Sequence, residues 1–202
     1  VFSRSDDQAV DVDTEMMALS DSLLLQRLTR GDAASFDALF YRHYDRVYGL
    51  LFRLVGNRAE AEDVAQEVFL KLHDHGRGRR AIGQDENVGG WLYRVAMNLG
   101  YNALRDRARR EARNVHLVPE AEAGIESQAD RRAERALVRA ALARLPERQA
   151  LLLLLRQMNF SYAECAAICE VAPGSVGTLL ARAAAAFRRE YLALAGQEEE
   201  RT

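Results

Sequence analysis

The sequence predicts an all-α protein of two helical domains joined by a flexible acidic linker. Three observations carry that expectation. Isoleucine occurs three times and threonine four times in 202 residues while alanine and leucine abound, a balance that favours helix over sheet. Apolar residues recur every three or four positions through most of the chain, the period of a helix with one buried face. One stretch, residues 114–130, has Pro119, Gly124, four acids, no base and no apolar period, and reads as the linker.

The composition, 49% hydrophobic and 29% charged with a formal net charge of -2, is that of an ordinary globular chain and excludes collagen-like, mucin-like and wholly disordered classes. The longest apolar run, from Ala150 to Leu155, is far short of the ~20 residues of a membrane span. No basic start precedes an apolar stretch, so neither a signal peptide nor membrane insertion is expected. Two cysteines give no disulfide framework, which suits a reducing cytoplasm.

The elements follow in order. Ser20 or Ser22 caps a short helix carrying Leu24 and Leu28, which stops at Gly31. Asp32 caps the next, where Phe36, Leu39, Phe40, Val47, Leu51 and Val55 recur up to Gly56. Asn57 with Glu60 three residues on is a capping-box pattern, and Ala61, Val64, Val68 and Leu72 form the stripe behind it. Residues 76–90, rich in glycine and arginine, read as a loop. Trp91, Leu92, Val95, Ala96 and Leu99 open a long helix that runs into arginines up to Arg113. A second helical block begins near Arg131 and is punctuated by Pro146. Ser161 and Glu164 make another capping box, and after a break at residues 170–173 a helix runs from about Gly174 to Tyr191. Two short helices joined by a tight turn have the shape of a helix-turn-helix. The expected division is therefore 1–19 as an acidic tail, 20–113 as the first domain, 114–130 as the linker, 131–195 as the second domain and 196–202 as a further acidic tail.

Charge follows the same division. Residues 21–113 hold sixteen bases and thirteen acids, and residues 131–195 hold ten arginines and five acids. Residues 1–20 hold five acids and one arginine. Two solvated domains with polar linkers would give this pattern, and so would two modules that touch a polyanion. On the helix after Trp91, residues Arg94, Asn98, Asn102, Arg105 and Arg109 form one polar stripe, with Tyr93 and Tyr101 near its edges. Amides, arginines and aromatics on one face suit hydrogen bonds to bases, stacking on unpaired bases and phosphate contacts, although a solvated amphipathic helix shows the same stripe. On the preceding helix Asp63, Gln66, Glu67 and Lys71 project away from the core stripe beside Phe69 and Leu70, a mixed face suited to a protein partner or to solvent.

These motifs converge on one family. Asp63-Val-Ala-Gln-Glu-Val-Phe-Leu-Lys71, followed by Trp91-Leu-Tyr-Arg-Val-Ala-Met-Asn98 and Asn102-Ala-Leu-Arg105, resembles region 2 of bacterial sigma-70 family factors. Leu145-Pro-Glu-Arg-Gln149, Ser161-Tyr-Ala-Glu164 and Gly174-Ser-Val176 resemble region 4. Two such regions with a short acidic linker match the extracytoplasmic-function (ECF) subgroup, over roughly residues 20–193. The resemblance implies a region 2 bundle and a region 4 helix-turn-helix. It also implies a sigma factor that binds core RNA polymerase, directs promoter recognition and -10 melting, and performs no chemistry itself.

The resemblance assigns polymerase docking to Asp63, Gln66, Glu67, Phe69, Leu70 and Lys71. It assigns the -10 element to Trp91, Tyr93, Arg94, Asn98, Tyr101, Asn102, Arg105 and Arg109, together with the loop before them; capture of a flipped base would open the duplex. The linker would thread the polymerase channel, and Ser175, Gly177, Thr178 and Arg182 would meet the -35 major groove. An anti-sigma factor is the expected inhibitory partner. Three departures stand out: Asn102 where the family usually has aspartate, Glu170 where the turn usually has glycine, and Gly177, Leu179 and Ala184 where the recognition helix usually has basic residues. Two other readings stay open at this point, a helical DNA-binding regulator acting without polymerase and a degenerate sigma-like scaffold.

Nothing else in the chain suggests chemistry. Cys165 and Cys169 sit four apart on one helix face and read as buried structural thiols. His73 and His75 lack a third ligand, so no metal and no cofactor is expected.

Overall fold

Side-chain caps set the helix starts in this structure, a computed structural model that describes residues 18–76, 87–113 and 126–199. Ser20 accepts a hydrogen bond from the Leu23 amide at 3.3 Å and opens α1 (Asp21–Thr29). Asp32 accepts from the Ala34 amide and the Ser35 hydroxyl and opens α2 (Ala33–Val55), which Gly56 closes in the left-handed conformation at φ 77°. Asn57 accepts from the Glu60 amide at 3.0 Å ahead of α3 (Arg58–Gly76). The Glu60 carboxylate pairs with Arg107 at 3.0 Å, tying α3 to α4 (Val88–Arg113). The helix α4 starts three residues ahead of the expected Trp91, because Asn87 accepts from the Gly90 amide through its side chain and from the Trp91 amide through its carbonyl. The expected loop therefore ends before Gly89 and Gly90, and residues 77–86 of it lie outside the described residues.

These four helices enclose a leucine-rich core that includes Leu24, Leu39, Leu51, Leu54, Leu72 and Leu92. Asp21 ties α1 to α2, with Arg42 and His43 both bonded to its carboxylate, His43 Nε2 at 2.7 Å. Burial pushes this carboxyl up, but the hydrogen bonds and charges of His43 and Arg42 outweigh it and hold the group below the usual carboxylate range.

The second group comprises α5 (Glu126–Ala143), α6 (Glu147–Gln157), α7 (Tyr162–Cys169), a 3₁₀ turn (Pro173–Ser175) and α8 (Val176–Glu199). Helix α5 begins inside the expected linker, because Glu126 and the residues after it suit helix without showing an apolar stripe. At the other end α8 runs on to Glu199, so part of the expected acidic tail is helical. Residues 1–17 and 114–125 of the expected tail and linker lie outside the described residues. Ser161 and Glu164 complete the predicted capping box in both directions.

The two groups share one continuous hydrophobic core. Helix α4 contacts α2 and α3 on one side and α6 and α7 on the other. Among the described residues there is no strand, and no single helix is long and apolar enough to cross a membrane.

Two stability outcomes follow. Gly56→Ala forces a Cβ into a left-handed residue and to within 2.2 Å of the Arg139 side chain, so urea denaturation should show a loss of about 1–2 kcal/mol. Because the folded Asp21 pKa is depressed, its contribution is present above the unfolded carboxylate pKa and is lost as pH falls through the folded value. Urea midpoints should therefore fall on acidification below about pH 4. Asp21→Asn, already less stable at neutral pH, should lose less over the same range.

Candidate polymerase-binding and promoter-reading faces

Helix α3 turns Ala61, Val64, Ala65, Val68, Phe69 and Leu72 inward, a stripe broader than the four residues its spacing first suggests. Asp63, Gln66, Glu67, Leu70 and Lys71 stand outside, with Leu70 63% exposed and Glu67 paired to Lys71 at 3.4 Å. Phe69 departs from the expected face. It is 2% exposed, with its ring 4.8 Å from Phe40 and 6.0 Å from Tyr44, so it supports the outer face from beneath. A surface that the spacing of core residues did not show lies beside it. Phe36, Phe40, Tyr44, Tyr48 and Phe52 stack at intervals of four along α2, and Tyr44 and Tyr48 are half-buried with Phe52 exposed. A step of four residues drifts around the helix, which carries this ladder from the core edge to solvent.

On α4 the predicted polar stripe is split between solvent and the second group. Asn98, Asn102, Arg105 and Arg109 are exposed. Arg105 bonds Asn102 at 3.1 Å and Glu147 of α6 at 3.0 Å, and Arg109 pairs with Asp106 at 3.5 Å. Trp91 is half-buried with its ring 4.9 Å from His75. Arg94 reaches across to donate to the Ile168 carbonyl at 2.9 Å and to pair with Glu170 at 3.0 Å.

Tyr93 and Tyr101, expected near the edges, are buried at 2% and 4% exposure because the second group covers them. Tyr93 lies edge-on to Phe160 at 5.3 Å, and Arg46 stands over the other ring of that pair, Phe160, at 5.5 Å. The Tyr101 hydroxyl donates to the Leu142 carbonyl at 2.9 Å, with the Leu145 carbonyl at 3.2 Å. It thereby adds a partner at the end of α5, where the Leu142 carbonyl otherwise accepts from the Leu145 amide. Burial raises the pKa of both tyrosines, so both hydroxyls stay protonated across the physiological range, Tyr101 donating and Tyr93 accepting from Arg46.

A cavity of about 270 Å³ remains in this junction, lined by residues that include Met97, Asn98, Glu147, Arg148, Leu151 and Cys169. Cys165 and Cys169 are both buried free thiols; burial pushes the Cys169 thiol up to about 11, which keeps it protonated and unreactive at neutral pH. On α8, Gly177, Thr178 and Arg182 are exposed, while Ser175 turns back to donate to the Ala172 carbonyl at 2.7 Å. This face of α8 thus presents one guanidinium and one hydroxyl beside bare backbone.

Glu170 explains how the turn does without its usual glycine. It sits in the left-handed region, φ 54° and ψ 52°, as a glycine would, and its carboxylate meets Arg94. A glycine there would be unstrained and would leave Arg94 without that partner.

A helical bundle joined to a helix-turn-helix has the architecture of a DNA-binding regulator. Comparison with known proteins narrows it to a transcription initiation factor. The model described as sigma-70 region 2 matches residues 39–110, and the sigma-70 region 4 model matches residues 135–187. The chain is 35% identical over 175 residues to the ECF RNA polymerase sigma factor SigM of Mycobacterium tuberculosis, covering 84% of both chains. It is 29% identical over 177 residues to the ECF sigma-E factor of Escherichia coli, covering 82% of this chain and 91% of that one. A match to the sigma-H factor of Pseudomonas aeruginosa, 40% identical over 93 residues, spans 45% of each chain. The solved complex of CnrH with the cytosolic domain of CnrY shares the fold, with TM-score 0.55 and 20% identity over 88% of this chain and 97% of CnrH. This chain belongs to the ECF sigma factors of the sigma-70 family, which bind RNA polymerase and direct it to promoters.

The Glu170 arrangement gives a direct outcome. Glu170→Gly should relieve roughly 1 kcal/mol of backbone strain while removing a contact between the two groups. Small-angle scattering of the variant should therefore give a larger radius of gyration than the parent, with helix content unchanged.

Proposed function

We propose that this chain is a cytoplasmic initiation factor without enzymatic activity that docks polymerase through α3, reads the -10 element through α4, and rests in a closed form when alone. One observation carries the last part. Tyr93, Arg94, Tyr101 and Arg105, four of the side chains suited to promoter contact, are engaged by the second group, whereas Asp63, Gln66, Glu67, Leu70 and Lys71 face solvent. Docking on polymerase needs no rearrangement; reading DNA requires the two groups to part. Polymerase would favour the open form by holding the two regions at separate sites, a shift set by its differential affinity for the two forms.

In this reading Asn98, Asn102, Arg105 and Arg109 meet bases and phosphates of the -10 element, with Trp91 and, once the groups part, Tyr93 and Tyr101 as stacking surfaces. The -35 contact through Ser175, Gly177, Thr178 and Arg182 is the lighter one, because a single arginine gives little phosphate grip. Promoter choice then leans on the -10 half. The partners are core polymerase, promoter DNA and an anti-sigma factor that would hold the closed form.

Run-off transcription with core polymerase tests the division of labour. Asn98→Ala with Arg105→Ala should leave polymerase affinity at the parent value and cut promoter opening by about tenfold or more, the scale of one or two lost charged or base contacts. Gln66→Ala with Glu67→Ala should weaken polymerase binding instead. Equal affinity of that second variant and the parent would remove the docking assignment.

A further inference from the structure

At the other end of the junction, α2 runs out at Gly56 against the side of α5, and the two groups enclose a second cleft of about 650 Å³. Arginines dominate it. Arg132, Arg135 and Arg139 lie three and four residues apart on one face of α5, and Arg53, whose guanidinium donates to the Gly49 carbonyl at 2.8 Å, lines the cleft from α2. Phe52, Val138, Leu142 and Leu154 supply an apolar wall, and Glu134 is the one acid at the lining. Arg139 is half-buried and seated over the bare backbone of Gly56, where any Cβ would lie 2.2 Å from its Nε. Among the described residues Arg132, Arg135 and Arg139 have no acid within ion-pair distance. Arg107 nearby is already held by Glu60 and the Val55 carbonyl, each at 3.0 Å. Burial pushes the Arg139 pKa down, and the like charges of Arg107 and Arg135 add to it.

Closing the two groups therefore gathers four cations around one cleft, three of them exposed and Arg139 half-buried, with one carboxylate to offset them, a positive field that favours entry of an anion. The volume is that of a small-molecule site. The guanidinium groups come from two elements, an arrangement suited to several phosphates and not to one chloride, and planar forks match phosphate oxygens in pairs.

We propose that this cleft is a binding site for a small oligophosphate, either a free phosphate chain or the phosphate tail of a nucleotide, which bridges Arg53 of the first group and Arg135 and Arg139 of the second. An aromatic ring at Phe52 gives a nucleobase a surface to lie on. The site is assembled from both groups, so its ligand stabilises the closed form by linkage.

Calorimetric titration of the full chain with tripolyphosphate and with ATP, at fixed ionic strength and without polymerase or DNA, tests this. The expected result is one saturable site, a raised melting temperature, and binding weakened about tenfold or more by Arg135→Gln with Arg139→Gln, the scale of one lost charge-assisted contact. Arg53→Gln should weaken it severalfold from the opposite group, which separates a shared cleft from a patch on α5. Arg53 and Arg135 are exposed, so their single variants keep the test meaningful if Arg139→Gln impairs folding. Tighter binding of ATP than of tripolyphosphate would identify a nucleotide as the ligand, and equal binding a free phosphate chain. No saturable binding, binding indifferent to Arg53 and Arg135, or variants that lose duplex DNA binding and keep oligophosphate binding would each overturn the proposal. The titration uses the chain alone, so its failure leaves the polymerase-docking reading standing.

Discussion

One helix has two apolar sides, and the rest of the molecule is arranged to cover both. Leu92, Ala96 and Leu99 of α4 belong against α2 and α3, as in any small bundle, but Tyr93, Met97 and Tyr101 extend the buried surface well beyond a single stripe. The second group supplies the missing cover, and the Tyr101 hydroxyl makes the fit directional by bonding where α5 runs out of helical partners. An apolar contact alone would tolerate sliding. A hydroxyl between two backbone carbonyls, with Arg94 on a third, does not.

Most of the fold could be read from the chain because local signals and global packing agree there. Ser20, Asp32, Asn57 and Ser161 cap where their residue types say they should. The boundaries that moved did so for identifiable reasons. Asn87 starts α4 ahead of its apolar stripe, and α5 opens on residues whose sequence has no apolar period. Periodicity finds helices with an apolar stripe and misses turns of helix without one.

The site was legible as a set of residues and not as an arrangement. The polar stripe on α4 and the outer face of α3 follow from spacing within one helix. That Phe69 points inward follows from the width of the stripe on α3, which depends on how closely α2 approaches. That Tyr93, Arg94, Tyr101 and Arg105 meet the second group depends on contacts between residues separated by tens of positions, for which a single sequence carries no local signal. Glu170 was visible as an unusual residue in the turn, but its reason lies in Arg94, on another helix.

In the proposed reading, the Arg94–Glu170 pair and its neighbours bind promoter choice to switching in a way that matters for how such a factor diverges. A side chain that serves both in holding the molecule shut and in reading DNA has no neutral direction of change. A substitution selected for a new base preference at Arg94 or Tyr101 also alters how often the chain is open, and one selected for tighter closure edits the code it reads. Lineages of this chain would therefore be expected to change target and basal activity together. In the proposed reading, a designer seeking a factor with a new promoter would do better to start from Asn98 and Asn102, which no bond to the second group holds among the described residues.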